Sequence, residues 1–449
     1  MRKTLMNERG KLGYALMLAG SLLTAAPCFA AETLTTRMNR LERELAELKQ
    51  SANAQREVPK VDAEAPKKSE VLPTPLVSTS SGTKIQLYGF ARFDASYDDG
   101  KINPGNIALW AWPEGQNSHD GEWNLTAGAT RLGLNLSGPD TEKIKLTGNI
   151  EFDFLGGGSE NNMNPRMRHA YFKAYWPASD FSILAGQTWD LHSSLIPFVD
   201  DSAIMWASGN IGTRHPQVRL TKGFSVGEKS HFEIAVAAAR TIGEKNSQPD
   251  PLSLGYNTDP GKDAQMPTIQ GRIAFSAPLL VQDQPTTLAF SGHYGQEEWD
   301  TNTTGAHKTL DSWSGNVELS LPLCKKMAFA GEYFTGANLD DYWGGIAQGV
   351  NQSSISDLKK IRASGGWAAL KYAPSTSRSL SIGAGIDKPN EDDLALNARS
   401  QNQVIFARVL NNITPSLILG FQVSNWKTDY KGSAESNVIR TQGSLTYKF

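Results

Sequence analysis

From Lys84 to the end of the chain, apolar and polar residues alternate in short segments. The last of these, residues 438–449, reads VIRTQGSLTYKF. Ile439, Thr441, Gly443, Leu445, Tyr447 and Phe449 share one parity, and Arg440, Gln442, Ser444, Thr446 and Lys448 the other. Successive side chains of a β-strand point to opposite faces, so such a segment has one apolar and one wet face. An apolar outer wall against lipid and a polar inner wall against water is the pattern of a transmembrane β-barrel. The predicted fold is therefore all-β, an antiparallel barrel of about sixteen strands. They start near Ile85, Thr130, Lys143, Met167, Phe181, Gln217, His231, Thr268, Thr287, Asp311, Lys326, Gly365, Ser379, Gln403, Ser416 and Val438. Parity is poorest in the sixth and fourteenth, which leaves fourteen or eighteen as neighbouring counts.

The connections support the same fold. Residues 98–129, 241–267, 295–310 and 335–364 are long and rich in Gly, Asn, Asp and Trp, whereas 137–142, 177–180, 322–325 and 374–378 are short. Long extracellular loops alternating with short periplasmic turns are expected of such barrels. A soluble sandwich also alternates, but its loops lack this asymmetry. Trp176, Trp313, Tyr88, Tyr175, Tyr294, Tyr372 and Tyr447 fall near predicted strand ends, where interfacial aromatic girdles sit.

The first 83 residues follow other rules. Arg2, Lys3, Arg9 and Lys11 precede the apolar run 12–26, and Cys28-Phe29-Ala30 offers a small-residue cleavage site. This reads as a signal peptide over 1–30; an uncleaved anchor helix and a lipidated Cys28 are the alternatives. Net charge is −2, and the signal carries four basic residues and one acid, so the mature chain is near −5 and no nucleic-acid partner is expected. Removal of Cys28 leaves Cys324 alone, so no intrachain disulfide is expected. Over 31–52, Leu34, Met38, Leu41, Leu45, Leu48 and Ala52 form a heptad seam, with Arg37/Glu42 and Glu44/Lys49 placed as pairs between parallel helices. A solvated amphipathic helix is the plainer reading. So few heptads need a larger assembly to hold them, and a trimeric barrel supplies one. Residues 53–83, with Pro59, Pro66, Pro73 and Pro75 among polar residues, read as an extended linker.

The segment KIQLYGFARFDASYD (84–98), the LAGQTWD turn (184–190) and the terminal LTYKF together resemble Gram-negative porins. The order of signal, short coiled coil, Pro-rich linker and barrel resembles the DcaP-type trimeric porins. That resemblance implies a homotrimer in the outer membrane, among lipid and lipopolysaccharide. It also implies a periplasmic coiled coil, assembly machinery that recognises the terminal aromatic Phe449, no cofactor, and passage of small anions such as dicarboxylates.

Parity places Arg92, Arg131, Lys145, Arg219, Arg272, Lys371 and Arg440 inside, with Asp94, Glu151, Asp153, Glu233, Glu318, Glu332 and Asp387. Arg440, Arg92, Arg131 and Lys145 belong to strands that adjoin when the barrel closes, a candidate basic wall. The loop 190–216, DLHSSLIPFVDDSAIMWASGNIGTRHP, is too apolar to leave in water and is expected to fold into the lumen. That fold would bring Asp200, Asp201 and Arg214 to the constriction. Arg166, Arg168 and Arg408 fall on the outward parity, where a charge facing lipid at the midplane costs about 2–4 kcal/mol. They are expected at a membrane edge or a subunit interface, or in a strand of shifted register. No HExxH, paired-cysteine or GK[ST] motif is present, so an enzyme is not expected. The leading function is passive diffusion of small hydrophilic, anionic solutes. The alternative is a structural anchor whose coiled coil tethers periplasmic partners.

Replacing Leu41 and Leu45 together by Asp should abolish association of the N-terminal helices while leaving the barrel folded. Cross-linking across the helix, read beside the heat-modifiable gel mobility of the barrel, measures the two separately.

Overall fold

The computed structural model describes residues 76–115, 120–139, 141–192, 194–195, 205–243, 260–301, 304–354 and 357–449. The signal segment, the heptad helix, most of the linker, and Asp200 and Asp201 lie outside the described residues. Sixteen wall strands follow one another. They are β1 Lys84–Asp98, β2 in two pieces, Glu122–Thr126 and Arg131–Ser137, β3 Lys145–Asp153, β4 Arg166–Trp176, β5 Phe181–Trp189, β6 Arg214–Val226, β7 Ser230–Ala239 and β8 Thr268–Val281. The second half comprises β9 Gln284–Asp300, β10 His307–Cys324, β11 Met327–Ala337, β12 Arg362–Ser375, β13 Arg378–Pro389, β14 Arg399–Asn412, β15 Leu417–Tyr430 and β16 Ser433–Lys448. Each pairs antiparallel with the next, and β1 pairs with β16 from Phe90↔Lys448 to Asp98↔Arg440, which closes the barrel.

All sixteen predicted strands are present. Several begin earlier than the apolar pattern suggested: β16 pairs with β15 up to Tyr430↔Ser433, because hydrogen-bonded hairpins continue past the apolar band. Residues 76–83, which composition assigned to the linker, form a hairpin instead. Leu76–Ser78 pairs with Lys84–Gln86 around a turn closed by the Thr79 and Thr83 main chains.

The outward face is apolar as expected, with Phe172, Ile382, Ile405, Leu445 and Tyr447 all exposed on the isolated barrel. Among the described residues no helix is long and apolar enough to cross a membrane, so the crossing is made by strands. Tyr372 and Tyr447 are exposed near strand ends, as a girdle requires, whereas the exposed Tyr294 and Trp313 lie within β9 and β10, whose ladder runs on to Asp300 and His307. Tyr88 is not part of it. Its ring lies inside over Gly133, where a Cβ would approach Tyr88 Cζ to 2.3 Å, and its hydroxyl donates to Glu151 at 2.8 Å. Tyr175 likewise serves the inner side, donating to Asp180 at 3.1 Å and lying under the Lys173 ammonium.

Two arginines that parity placed on the outward face are inside, and one local irregularity is the cause. The β3–β4 register shifts between Met167 and His169. That bulge exchanges the faces of β4, so Met167 and Phe172 both point outward while Arg166 and Arg168 both bind Asp153. Arg408 is inside too. It shares a face with buried Val404 and Phe406, whereas Ile405 is exposed. The apolar face was the wrong guide in β14 because this strand is apolar on both sides.

Val404 and Phe406 are buried because the extracellular half of the lumen is filled. They pack with Ile102, Ala108 and Ala111 of the β1–β2 loop, Met205 of the β5–β6 loop, and Trp367 and Trp426 of the wall. A third loop, between β11 and β12, buries Leu339, Tyr342 and Ile346. Asn402 ties two of the three together, donating at 2.7 Å to both Leu109 O and Ala207 O. Gly212 N donates to Tyr342 O at 2.7 Å and links the other pair. Where the β5–β6 loop meets the wall there is no room for side chains: a Cβ on Gly209, whose φ is +117°, would lie 2.1 Å from Gly366 O.

Asn402→Ala removes both bonds from buried carbonyls and should destabilise the loop packing by about 1–3 kcal/mol. Protease cleavage within the loops should accelerate, while the strand wall keeps its resistance to detergent.

Candidate functional site

The loops crowd against β9–β16, and the opposite inner wall, β2–β8, carries a dense charged surface. At its upper end Arg166 holds Asp153 in a two-pronged pair, at 2.7 and 2.9 Å. Arg168 bridges Glu151 at 2.6 Å and Asp153 at 3.0 Å, and Arg131 approaches Glu151 to 3.6 Å. Tyr88 donates to the second Glu151 oxygen, and Asn149 donates to the Tyr88 hydroxyl at 2.8 Å. Three guanidinium groups thus meet two carboxylates. Arg214, at the start of β6, adds a fourth. It lies over the Trp189 ring at 4.3 Å, with Arg168 over the same ring at 5.7 Å. Trp189 packs edge-on against Trp206, which stacks on Trp343 at 5.7 Å and 5°, so a row of rings runs from the arginines into the folded-in loops.

Beside this cluster is a cavity of about 310 Å³ lined from β4, β5, β6, β7 and β8. Lys173, Arg219 and Arg272 face it with Glu233, and the hydroxyls of Ser182 and Thr221 join them. Arg272 is neutralised, 3.4 Å from Glu233 and 3.2 Å from Glu318, which also accepts from Ser194. Arg219 is held only by neutral acceptors, the Gln217 amide oxygen and the Trp189 carbonyl. Lys173 lies over the Tyr175 ring.

The other predicted residues are distributed as follows. Arg92 is inside and paired with Asp94 at 2.8 Å. Arg440 is inside, 3.3 Å from Asp98, and donates to Ser96 and to Gly105 O of the β1–β2 loop. Lys145 shares the inward parity but is exposed at the far end of β3, eight residues below Asp153, about 27 Å along the strand. Lys371, on β12, is half-buried. Phe449 is exposed, and its main chain pairs with Gly89. Sequence reasoning missed Lys173 and Trp189 altogether and misplaced Arg166 and Arg168. The signal was there in RMRHAYF (166–172), where the apolar Met167 and Phe172 lie on opposite parities and mark a change of face.

Residues 40–235 match the profile of the DcaP outer membrane protein family. Over that stretch the chain resembles the DcaP outer membrane proteins. Its fold is similar to the outer membrane channel DcaP of Acinetobacter baumannii, with a TM-score of 0.65 at 18% identity, covering 83% of this chain and 99% of that one. An anion-selective porin from Comamonas acidovorans gives 0.53 at 11%, covering 82% and 100%. OmpF of Salmonella typhi, in complex with daunomycin, gives 0.51 at 12%, covering 84% and 100%. No curated protein matches the sequence. The chain thus has a porin-like barrel fold, and residues 40–235 resemble a family of outer membrane proteins.

Arg168→Gln leaves two buried carboxylates short of a partner and should destabilise the barrel by roughly 3–5 kcal/mol. Lys173→Gln, at a half-buried position without a salt bridge, should change stability by less than about 0.5 kcal/mol. Unfolding in urea, followed by loss of gel mobility shift, separates the two.

Proposed function

We propose that this barrel is a trimeric diffusion porin for small hydrophilic anions, with dicarboxylate-like solutes among them. One observation carries the reading. Among the described residues Lys173 and Arg219, which line the cavity and are half-buried, make no salt bridge. The inward carboxylates Glu332 and Asp387, which also make no salt bridge, are buried under the loops. Beside the cavity, unpaired positive charge therefore faces the water. A narrow passage walled by low-dielectric protein makes that charge felt by a passing ion. The fold similarity to a porin described as anion-selective supports the same direction.

A trimer is supported by the profile of the wall. β3, β4 and β5 have 9, 11 and 9 residues, against 14, 17 and 18 in β8, β9 and β10. A neighbouring protomer would cover the low side, and the heptad helices would join beneath it. The outward terminal Phe449 suits recognition by barrel-assembly machinery, and the apolar outer face suits lipid and lipopolysaccharide.

In a planar bilayer under a salt gradient, the reversal potential should report preference for anions. Neutralising Lys173 and Arg219 together should lower the anion-to-cation permeability ratio. At about 8 Å and near-water dielectric each charge favours an anion and disfavours a cation by about 0.5 kcal/mol, so the ratio should fall by up to about thirtyfold. A cation-preferring native pore, or a ratio untouched by the double substitution, overturns the reading.

A further inference from the structure

Where the β5–β6 and β11–β12 loops meet, three histidines are buried together. His192 lies on the outgoing root of the first loop, His215 in β6 just past its return, and His293 in β9. None is more than 5% exposed. All three pack on one ring, Tyr342 of the β11–β12 loop, with centroids 5.0, 5.1 and 4.1 Å away. His192 and His293 are themselves 5.5 Å apart. His215 is held by Asp190 at 2.8 Å, and His293 by Ser314 and Ser312 at 2.8 and 3.0 Å. His192 differs: both its ring nitrogens are buried without a hydrogen-bond partner. The barrel thus rests two inward loops on an imidazole that is satisfied only by packing. Among the described residues no three His, Cys, Asp or Glu are disposed to hold a metal ion, so the cluster reads as a structural contact between loops.

We propose that this cluster is an acid-released latch: a proton on His192 breaks its packing on Tyr342, frees the β11–β12 loop from the root of the β5–β6 loop, and moves the pore to a second conductance level. The inference rests on the barrel being a conducting pore and is independent of its ion preference.

The groups around His192 explain why a second positive charge is not tolerated there. From its own loop comes Asp190, already bound to His215, Gln270 and Thr213 N. Burial pushes the Asp190 carboxyl up, but His215 and Gln270 more than offset it, so it stays an anion committed to those partners. β10 offers Glu318, which is spent on Arg272, Ser194 and Ser291. β6 brings His215 and Arg219, and β9 brings His293, all of which repel a new cation. Asp341 and Glu297 act on Tyr342 from beyond the ring. Burial accordingly drives the His192 imidazole below its ordinary value, against the pull of Asp190 and Glu318. A histidine kept neutral by folding contributes fully above its unfolded value of about 6.5, and that contribution is lost as pH falls below it.

Single-channel recording at pH 7.5 and pH 5.0 tests the latch. The native pore should hold one level at pH 7.5 and visit a second at pH 5.0, with occupancy rising about tenfold per pH unit through that window. His192→Phe, which keeps a ring against Tyr342 but cannot take a proton, should remain at the first level at both pH values. His192→Asn gives a second variant without a titrating group, and heat-modifiable gel mobility shows which variants fold. Tryptophan fluorescence supplies a readout that needs no current, since Trp343 follows Tyr342 and stacks on Trp206. Its emission should shift between the two pH values in the native protein and not in the folded variants. Switching that persists in folded variants, or native traces and emission unchanged by pH, overturns the latch. A barrel that carries no current at pH 7.5 yet shows the pH-dependent emission overturns the porin reading and leaves a loop latch in a closed barrel.

Discussion

Hydrocarbon offers no partner to a backbone amide, so a chain that crosses it with strands must satisfy every N–H and C=O within its own wall. In this protein that demand is met only when β1 and β16 pair, and Phe449 closes the last rung against Gly89. Everything else is arranged inside the resulting cylinder. Sixteen strands enclose more space than side chains alone can fill. The extracellular half is therefore occupied by loops whose own polar groups must be satisfied by the wall, as Asn402, Thr428 and Tyr430 satisfy Leu109, Ala207 and Ala111. Closure comes first, and the narrowed lumen follows from it.

The same alternation that forces closure made the fold readable from sequence. With lipid on one side and water on the other, period two is a strong signal, and the sixteen strands could be placed without a structure. It failed in two physically distinct ways. At Met167–His169 one extra residue exchanged the faces, so Arg166 and Arg168 read as lipid-facing although both hold Asp153. In β14 the inner face is apolar because a loop covers it, so Val404 and Phe406 carried no information about which side was wet. Local pattern reports the environment of a side chain, and an interior partly filled by apolar loops is no longer simply water.

The candidate site was legible to a lesser degree, for a related reason. Parity finds the inward charges but not their partners. Arg92, Arg131, Arg272 and Arg440 are inside, yet each has a carboxylate within 3.6 Å. A charge paired at that distance shapes the wall more than the field in the lumen. Arg219 is different, because its hydrogen bonds go to an amide and a carbonyl, while Arg214 lies on an indole face beside Arg168 and Asp153. Such pairings depend on contacts between β4, β5 and β6 and on the path of the loop between β5 and β6, none of which alternation encodes.

The charged wall and the loop packing meet at Trp189. Its ring supports Arg214 on the charged side and meets Trp206 on the loop side, and Trp206 stacks on Trp343, one residue past the tyrosine that caps the buried histidines. A displacement of the β11–β12 loop reaches the arginine cluster through three aromatic contacts, without disturbing a single rung of the wall. The division of labour is physical: the ladder fixes the cylinder because its bonds have no alternative partner, and the loops can rearrange because water can replace theirs. The charged surface is therefore set by the ladder, and the shape of the space beside it by the loops.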